Sequence, residues 1–219
     1  MNVVITGTAS GIGLAIATKF LAEGHEVYGF DAAEAAIDDA RYHHVVLDLR
    51  DELPADVVAG IPSPDILINN AGTQVDADAI DVNLVGTIRF TEAFQESESL
   101  QSVLFIASAS ARNGAEFPHY SASKAGVVGY MKNRAQYLAA RGITVNSISP
   151  GGVVTSLNQH ILDSDELYIA VKAETLLGKW AQPEEIADLA YFLTVVNRSI
   201  TGEDILIDNG EMLKANFIW

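Results

Sequence analysis

The stretch Asn2-Val3-Val4-Ile5-Thr6-Gly7-Thr8-Ala9-Ser10-Gly11-Ile12-Gly13 decides the fold. Its opening run is apolar and rich in β-branched residues, which predicts a strand over Asn2–Ile5. Glycines follow at once, and an amphipathic pattern over Ile12–Ala22 predicts a helix. Glycines in such a turn let the backbone bend tightly and approach a pyrophosphate. The helix N-terminus behind them offers unpaired N–H groups and the positive end of its dipole. The spacing is G-x-x-x-G-x-G, not the commoner G-x-G-x-x-G, and any tight strand-to-helix connection can use glycine. Its place directly after the first strand favours a dinucleotide loop over an ordinary turn.

Outward from this turn the same alternation continues. Strand-like runs occur at Glu26–Phe30, His44–Leu47, Asp65–Asn69, Ser102–Ala107, Ile143–Ile148 and Asp204–Ile207. Helical patterns lie at Ala79–Gln95, Tyr120–Ala140, Ser164–Leu177 and Pro183–Val196, the last opening on a proline that a first helical turn tolerates. The strands are continuous apolar runs, as a parallel sheet buried on both faces requires. These features predict an α/β fold: a doubly wound parallel sheet (Rossmann-type) flanked by helices, with right-handed crossovers. No repeat, low-complexity tract or linker interrupts it, so residues 1–219 form a single domain.

Composition narrows the chemistry. Of 219 residues, 49% are hydrophobic and 19% charged, enough for a substantial core. The absence of cysteine excludes disulfides, thiolate catalysis and thiolate metal sites. A formal net charge of −16 opposes nucleic acid as a partner, and the scattered acids read as a solvated acidic surface. No apolar run approaches the roughly 18 residues of a membrane span, and Asn2–Thr6 lacks a basic leader, so a soluble cytoplasmic protein is expected. His43 and His44 would face opposite ways on a strand, with no third ligand in view; no metal site is expected.

Four further residues attract attention. Asp31 ends the second strand, about twenty residues beyond Gly11, where an acid would bond the ribose hydroxyls of NAD and repel the 2′-phosphate of NADP. Thr8, Ala9, Ser10, Ala32 and Ala33 supply no compensating base. Tyr120 and Lys124 stand one helical turn apart and share a face. An ammonium beside a phenol favours the phenolate, which makes Tyr120 a candidate general acid or base. Ser108, after the fifth strand, could hold a substrate oxygen. Taken singly each has a bland alternative, since Tyr–Lys neighbours on helices are usually inert. His119 adjoins Tyr120, but adjacent helical side chains diverge.

Taken together, these motifs resemble the short-chain dehydrogenase/reductase family along essentially the whole chain. Thr6 to Gly13 is similar to its T-G-x-x-x-G-I-G cofactor loop, and Asn69-Asn70-Ala71-Gly72 to its N-N-A-G strand end. The resemblance implies cofactor contacts from Gly7, Ser10, Gly11, Ile12, Gly13, Asp31, Asn70, Ala71 and Gly72. Asp48, followed by Leu49, matches the acid that contacts the adenine, and Asn83 the helix asparagine that holds a proton-relay water. Pro150-Gly151-Gly152-Val153-Val154-Thr155 matches the loop over the nicotinamide carboxamide, adding Pro150, Gly151, Val153 and Thr155. Ser108, Tyr120 and Lys124 match the catalytic serine, tyrosine and lysine. Trp180 to Ala187 and Thr201-Gly202 look like tail blocks of bacterial, 3-oxoacyl-carrier-reductase-like members.

The resemblance implies proton exchange at Tyr120 while hydride passes to or from nicotinamide C4. Lys124 would bond the nicotinamide ribose and lower the Tyr120 pKa, and Ser108 would polarise the carbonyl. Three departures stand out: the stretch from Gly72 to Asn83 is short for the family, the stretch from Asp48 to Asn69 looks trimmed, and Ser110 competes with Ser108 for the serine role. Ser108 is preferred because it follows Phe105-Ile106-Ala107 directly. The expected partner is a small-molecule alcohol or carbonyl substrate under the segment 156–179, with NAD preferred over NADP. A homotetramer is expected by family analogy, pairing the helices Ala79–Gln95 and Tyr120–Ala140 with their copies. The apolar ending Asn216-Phe217-Ile218-Trp219 would pack within the monomer or at a second contact. Two rivals remain: an NADPH-dependent 3-oxoacyl-carrier reductase, and a non-catalytic regulator that binds the dinucleotide.

Overall fold

A computed structural model describes residues 1–115 and 117–214. Seven parallel strands form one sheet: β1 (Asn2–Thr6), β2 (Glu26–Asp31), β3 (Tyr42–Val46), β4 (Ile66–Asn69), β5 (Ser102–Ile106), β6 (Thr144–Pro150) and β7 (Asp204–Ile207). They lie in the order β3-β2-β1-β4-β5-β6-β7. The chain winds outward from β1 in one direction, then starts again at β4 in the other. The switch between β1 and β4 opens a crevice at the carboxyl ends of the strands, the position where such sheets bind ligands.

The apolar runs split by alternation. Val3, Ile5, Ile66, Ile68, Leu104 and Ile106 face one side, where helices α1 (Gly11–Ala22) and α8 (Pro183–Tyr191) bring Ile16, Phe20, Ile186 and Ala190. Val4, Leu67, Val103 and Phe105 face the other, against Phe90 and Phe94 of α3 (Thr87–Phe94) and Val127, Met131 and Leu138 of α5 (Pro118–Leu138). The central strands β1, β4, β5 and β6 therefore bury both of their faces, which is why their sequence runs are continuous, while the edge strands β3 and β7 stay partly exposed. Burying a large apolar side chain from these runs contributes about 1.5–3 kcal/mol.

Several boundaries differ from those the sequence implies. β3 begins at Tyr42, two residues before the expected His44, and ends one residue short of Leu47. The segment predicted as one helix over Ala79–Gln95 winds first as a π-helical turn, Ile80–Gly86, and only then as α3. Helix α5 starts at Pro118, and the segment expected over Ser164–Leu177 is helical only over Asp165–Ala173, α7, with the Ser164 hydroxyl accepting from the Leu167 N–H at its start. Three short helices had no sequence counterpart: α2 (Ala55–Gly60), α4 (Ser110–Asn113) and α6 (Gln159–Leu162). The ending Asn216–Trp219 lies outside the described residues. Among the described residues no helix is long and apolar enough to cross a membrane.

Candidate active site

A cleft of about 1240 Å³ runs along the carboxyl ends of the strands. Of the expected catalytic and cofactor-binding residues, all but Gly13 and Asn83 line it: Gly7, Ser10, Gly11 and Ile12 of the turn, Asp31, Asp48, Leu49, Asn70 to Gly72, Ser108, Tyr120, Lys124, and Pro150, Gly151, Val153 and Thr155 of the loop after β6. Gly13 works from behind. A Cβ there would lie 1.9 Å from the Gly7 carbonyl oxygen, so only glycine lets α1 pack this close to the turn. Gly7 itself has φ +77°, which glycine adopts without strain.

At the dinucleotide end, the turn is clamped to the tip of β4. The Thr6 hydroxyl oxygen accepts from the backbone N–H groups of Asn70 and Ala71, each at 3.0 Å. The Asn70 amide donates back to the Thr6 and Gly7 carbonyls at 3.0 and 3.1 Å. Ser10 precedes α1 without a side-chain cap, and no acid sits in the first turn of α1. The helix therefore presents backbone donors and its positive dipole end to the cleft, a donor set that fits a pyrophosphate. Asp31 is held by two backbone donors, Ala9 and Ala33, both at 2.9 Å, so its carboxylate bridges the turn and the loop after β2. Asp48 is engaged by Arg50 through its backbone N–H and guanidinium, a pairing that holds its carboxyl below the ordinary aspartate range.

A second bridge, with no signal in the sequence, spans the same two loops. Thr8 Oγ1 and the Tyr42 hydroxyl are 2.7 Å apart, Tyr42 lies 2.8 Å from His44 Nδ1, and His44 Nε2 lies 2.9 Å from the Ala33 carbonyl. A carbonyl can only accept, so Nε2 carries a proton; in the neutral imidazole Nδ1 then accepts from Tyr42, and Tyr42 from Thr8. His43 points elsewhere, pairing with Glu26 at 2.9 Å and stacking on Tyr28.

At the chemical end, Ser108, Tyr120 and Lys124 are all buried around the cleft. Lys124 Nζ donates to the Ile106 carbonyl at 3.0 Å and stands 5.9 Å from the Tyr120 ring centre. Ser110 donates to Ser108 Oγ at 3.0 Å and does not line the cleft itself, so Ser108 is the member of the pair that faces the cleft. Asn83 sits one layer below, on the π-helical turn, a departure from α-helix that recurs at functional sites. Its carboxamide grips both backbone groups of Thr73 and donates to Ser123 Oγ at 3.1 Å.

The far wall comes from the segment 156–179, which forms α6 and α7 and contributes Leu157, His160, Ile161, Val171 and Glu174. Glu211, beyond β7, joins it. Burial pushes the Glu211 carboxyl up, the carboxylates of Asp208 and Glu174 add to this, and the Gly152 N–H opposes it. Neither Glu211 nor Tyr42 carries a sequence signal; each acts on a segment remote along the chain. Asp76 is a third such residue. Its carboxylate accepts from the backbone N–H groups of His119 and Tyr120, at 2.8 and 3.2 Å, and from His119 Nδ1 at 2.8 Å.

Comparison with known proteins agrees with this geometry. A family model described as enoyl-(acyl carrier protein) reductase matches residues 7–211. The 3-oxoacyl-[acyl-carrier-protein] reductase FabG of Thermotoga maritima is 31% identical, covering 94% of this chain and 96% of its own. A 4-hydroxyisoleucine dehydrogenase, solved in complex with NADH, is 30% identical, with a TM-score of 0.88 over 98% of this chain and 99% of its own. A short-chain dehydrogenase/reductase family oxidoreductase from Burkholderia thailandensis is 29% identical, with a TM-score of 0.90 over 97% and 93%. The doubly wound sheet, the glycine turn at its switch point and these matches agree: the chain belongs to the short-chain dehydrogenase/reductase family and is an NAD(P)-dependent oxidoreductase.

Proposed function

We propose that the enzyme interconverts an alcohol and a ketone with NAD(H), using Tyr120 as the proton donor or acceptor. The observation that carries this reading is the meeting of buried Ser108, Tyr120 and Lys124 in the same cleft as the glycine turn. When bound, the nicotinamide supplies the hydride chemistry. In the reducing direction, Tyr120 Oη gives its proton to the substrate oxygen as the carbonyl carbon is reduced. Lys124 favours the resulting phenolate by its charge, and Ser108 Oγ donates to the same oxygen, the Ser110 hydrogen bond fixing its position. Asn83 braces Thr73 and Ser123, and with Lys124 would return a proton from water.

Asp31 favours NAD. Its carboxylate is fixed by Ala9 and Ala33 at the end of β2, from where an acid would bond the adenine-ribose hydroxyls and repel a 2′-phosphate. Gly7, Ser10, Gly11, Ile12 and Gly13 would hold the pyrophosphate, Pro150, Gly151, Val153 and Thr155 the carboxamide, and Asp48 and Leu49 would border the adenine. The second reading, an NADPH-dependent 3-oxoacyl-carrier reductase, is supported by the likeness to the Thermotoga reductase and opposed by Asp31. The chain acts as a cytoplasmic homotetramer on this reading, paired through the outer faces of α3 and α5. Assaying a panel of ketones and 3-oxoacyl thioesters with NADH and NADPH tests the proposal. Reduction of small ketones at higher kcat/KM with NADH is expected; activity confined to 3-oxoacyl thioesters with NADPH would replace it by the second reading.

A further inference from the structure

Helix α5 carries the reacting tyrosine in its first turn, where a helix is least held by its own hydrogen bonds. Its N-terminal donors can be accounted for one by one. Pro118, at the first position, has no N–H. The Ser121 N–H bonds the Phe117 carbonyl at 2.8 Å. That leaves His119 and Tyr120, and the residue at the capping position, Phe117, has no side-chain acceptor. Asp76 supplies it from outside the helix, taking both N–H groups on one carboxylate oxygen and the His119 imidazole on the other.

We propose that Asp76 is the positioning residue for Tyr120: a cap delivered from the loop after β4 that fixes the start of α5, and with it the phenol, against the cleft. The loop bearing Asp76 is itself anchored. Asn83 holds Thr73 at its base through the 2.7 Å bond from the Thr73 N–H and the 3.0 Å bond to its carbonyl, and the Thr73 hydroxyl accepts from Val75 at 3.0 Å. The same asparagine donates to Ser123, whose hydroxyl donates to the Tyr120 carbonyl at 2.7 Å. Tyr120 is thus gripped at its N–H by Asp76 and at its carbonyl by Ser123, both ends tied to one loop. Asp76 opens a single 3-10 turn, Asp76–Asp78, that leads into the π-helical turn beginning at Ile80, on which Asn83 sits. Burial alone would raise the Asp76 carboxyl, but the Tyr120 N–H, the His119 imidazole and the His119 N–H together outweigh it and hold the carboxyl below its ordinary value.

This proposal rests on Tyr120 being the proton donor, so the test carries both variants. Asp76→Ala removes the cap at a residue that does not itself line the cleft. We expect kcat to fall about tenfold, since small displacements of a reacting group are costly, while the Kd for NADH stays within twofold. Asp76→Asn keeps an acceptor oxygen and should restore kcat to within threefold of native. Asp76→Ser, whose hydroxyl reaches less far, should fall between the two and serves if the alanine variant does not fold. Native kcat in Asp76→Ala or Asp76→Ser, beside an inactive Tyr120→Phe, would overturn the positioning role alone. Equal losses of kcat and NADH affinity, without recovery in Asp76→Asn, would also overturn it. An active Tyr120→Phe would instead remove the proton-donor reading beneath it.

Discussion

The hydroxyl of Tyr42 lies 2.7 Å from that of Thr8, joining the third strand to the middle of the glycine turn. Through His44 the same hydroxyl reaches the Ala33 carbonyl, so the two loops that flank the adenosine end are tied by side chains as well as by Asp31.

Tyr42→Phe keeps the ring and cuts this chain. Thr8 is fully buried, and stranding a buried polar group costs about 1–3 kcal/mol. Thermal unfolding should move down by ~2–12 °C for a chain of this size, and the Kd for NADH should rise severalfold. A variant that melts within 1 °C of native and binds NADH equally would show that the chain of hydroxyls is ornamental.

Asp31 should set the choice of cofactor. Bringing a phosphate against this held carboxylate could cost ~2 kcal/mol, about thirtyfold, at an effective dielectric near 20 with some relaxation. Fluorescence titration should therefore give tighter binding of NADH than of NADPH, and Asp31→Ala should narrow the gap. Because Asp31 also accepts from Ala9 and Ala33, the alanine variant should lose some NADH affinity too. Equal affinities in the native enzyme would take this role from Asp31.

Glu211 makes stability depend on pH in a stated direction. Its carboxyl is raised above the ordinary 4.5, chiefly by burial and then by Asp208 and Glu174. The folded state thus holds this proton more tightly than the unfolded one. The stability linked to the neutral form is complete below the ordinary value and is lost as pH rises through the raised one. Glu211→Gln keeps the neutral shape, so it should melt higher than native at pH 8 and equally at pH 4. A difference of opposite sign, or one independent of pH, would contradict this.

The residues readable from sequence share one property. Gly7 to Gly13, Asp31, Asn70 to Gly72, Ser108 and the Pro150 loop each follow directly from the end of a strand, so a local pattern of apolar run and turn locates them. Tyr120 and Lys124 are legible for a similar reason, being one turn apart on one helix. What sequence could not supply acts at a distance. Asp76 meets Tyr120 across 44 residues and Thr8 meets Tyr42 across 34, with no periodicity linking either pair. The early start of β3 was hidden because Tyr42-His43-His44 is aromatic and polar, not an aliphatic run. The π-helical turn at Ile80–Gly86 was hidden because its apolar spacing passes for that of an α-helix. Helices of one turn, such as Ser110–Asn113, are too short for any period to register.

The central claim is that the phenol of Tyr120 carries the proton. Replacing it with Phe keeps the ring and nearly all its volume but leaves no group there to exchange a proton with the substrate. The direct test is kcat of Tyr120→Phe on a substrate the native enzyme reduces, measured beside the Kd for NADH. A fall in kcat of at least ~10²–10⁴-fold, with folding and NADH binding retained, is the predicted result. Near-native turnover in that variant would contradict the account and move the chemistry to another group.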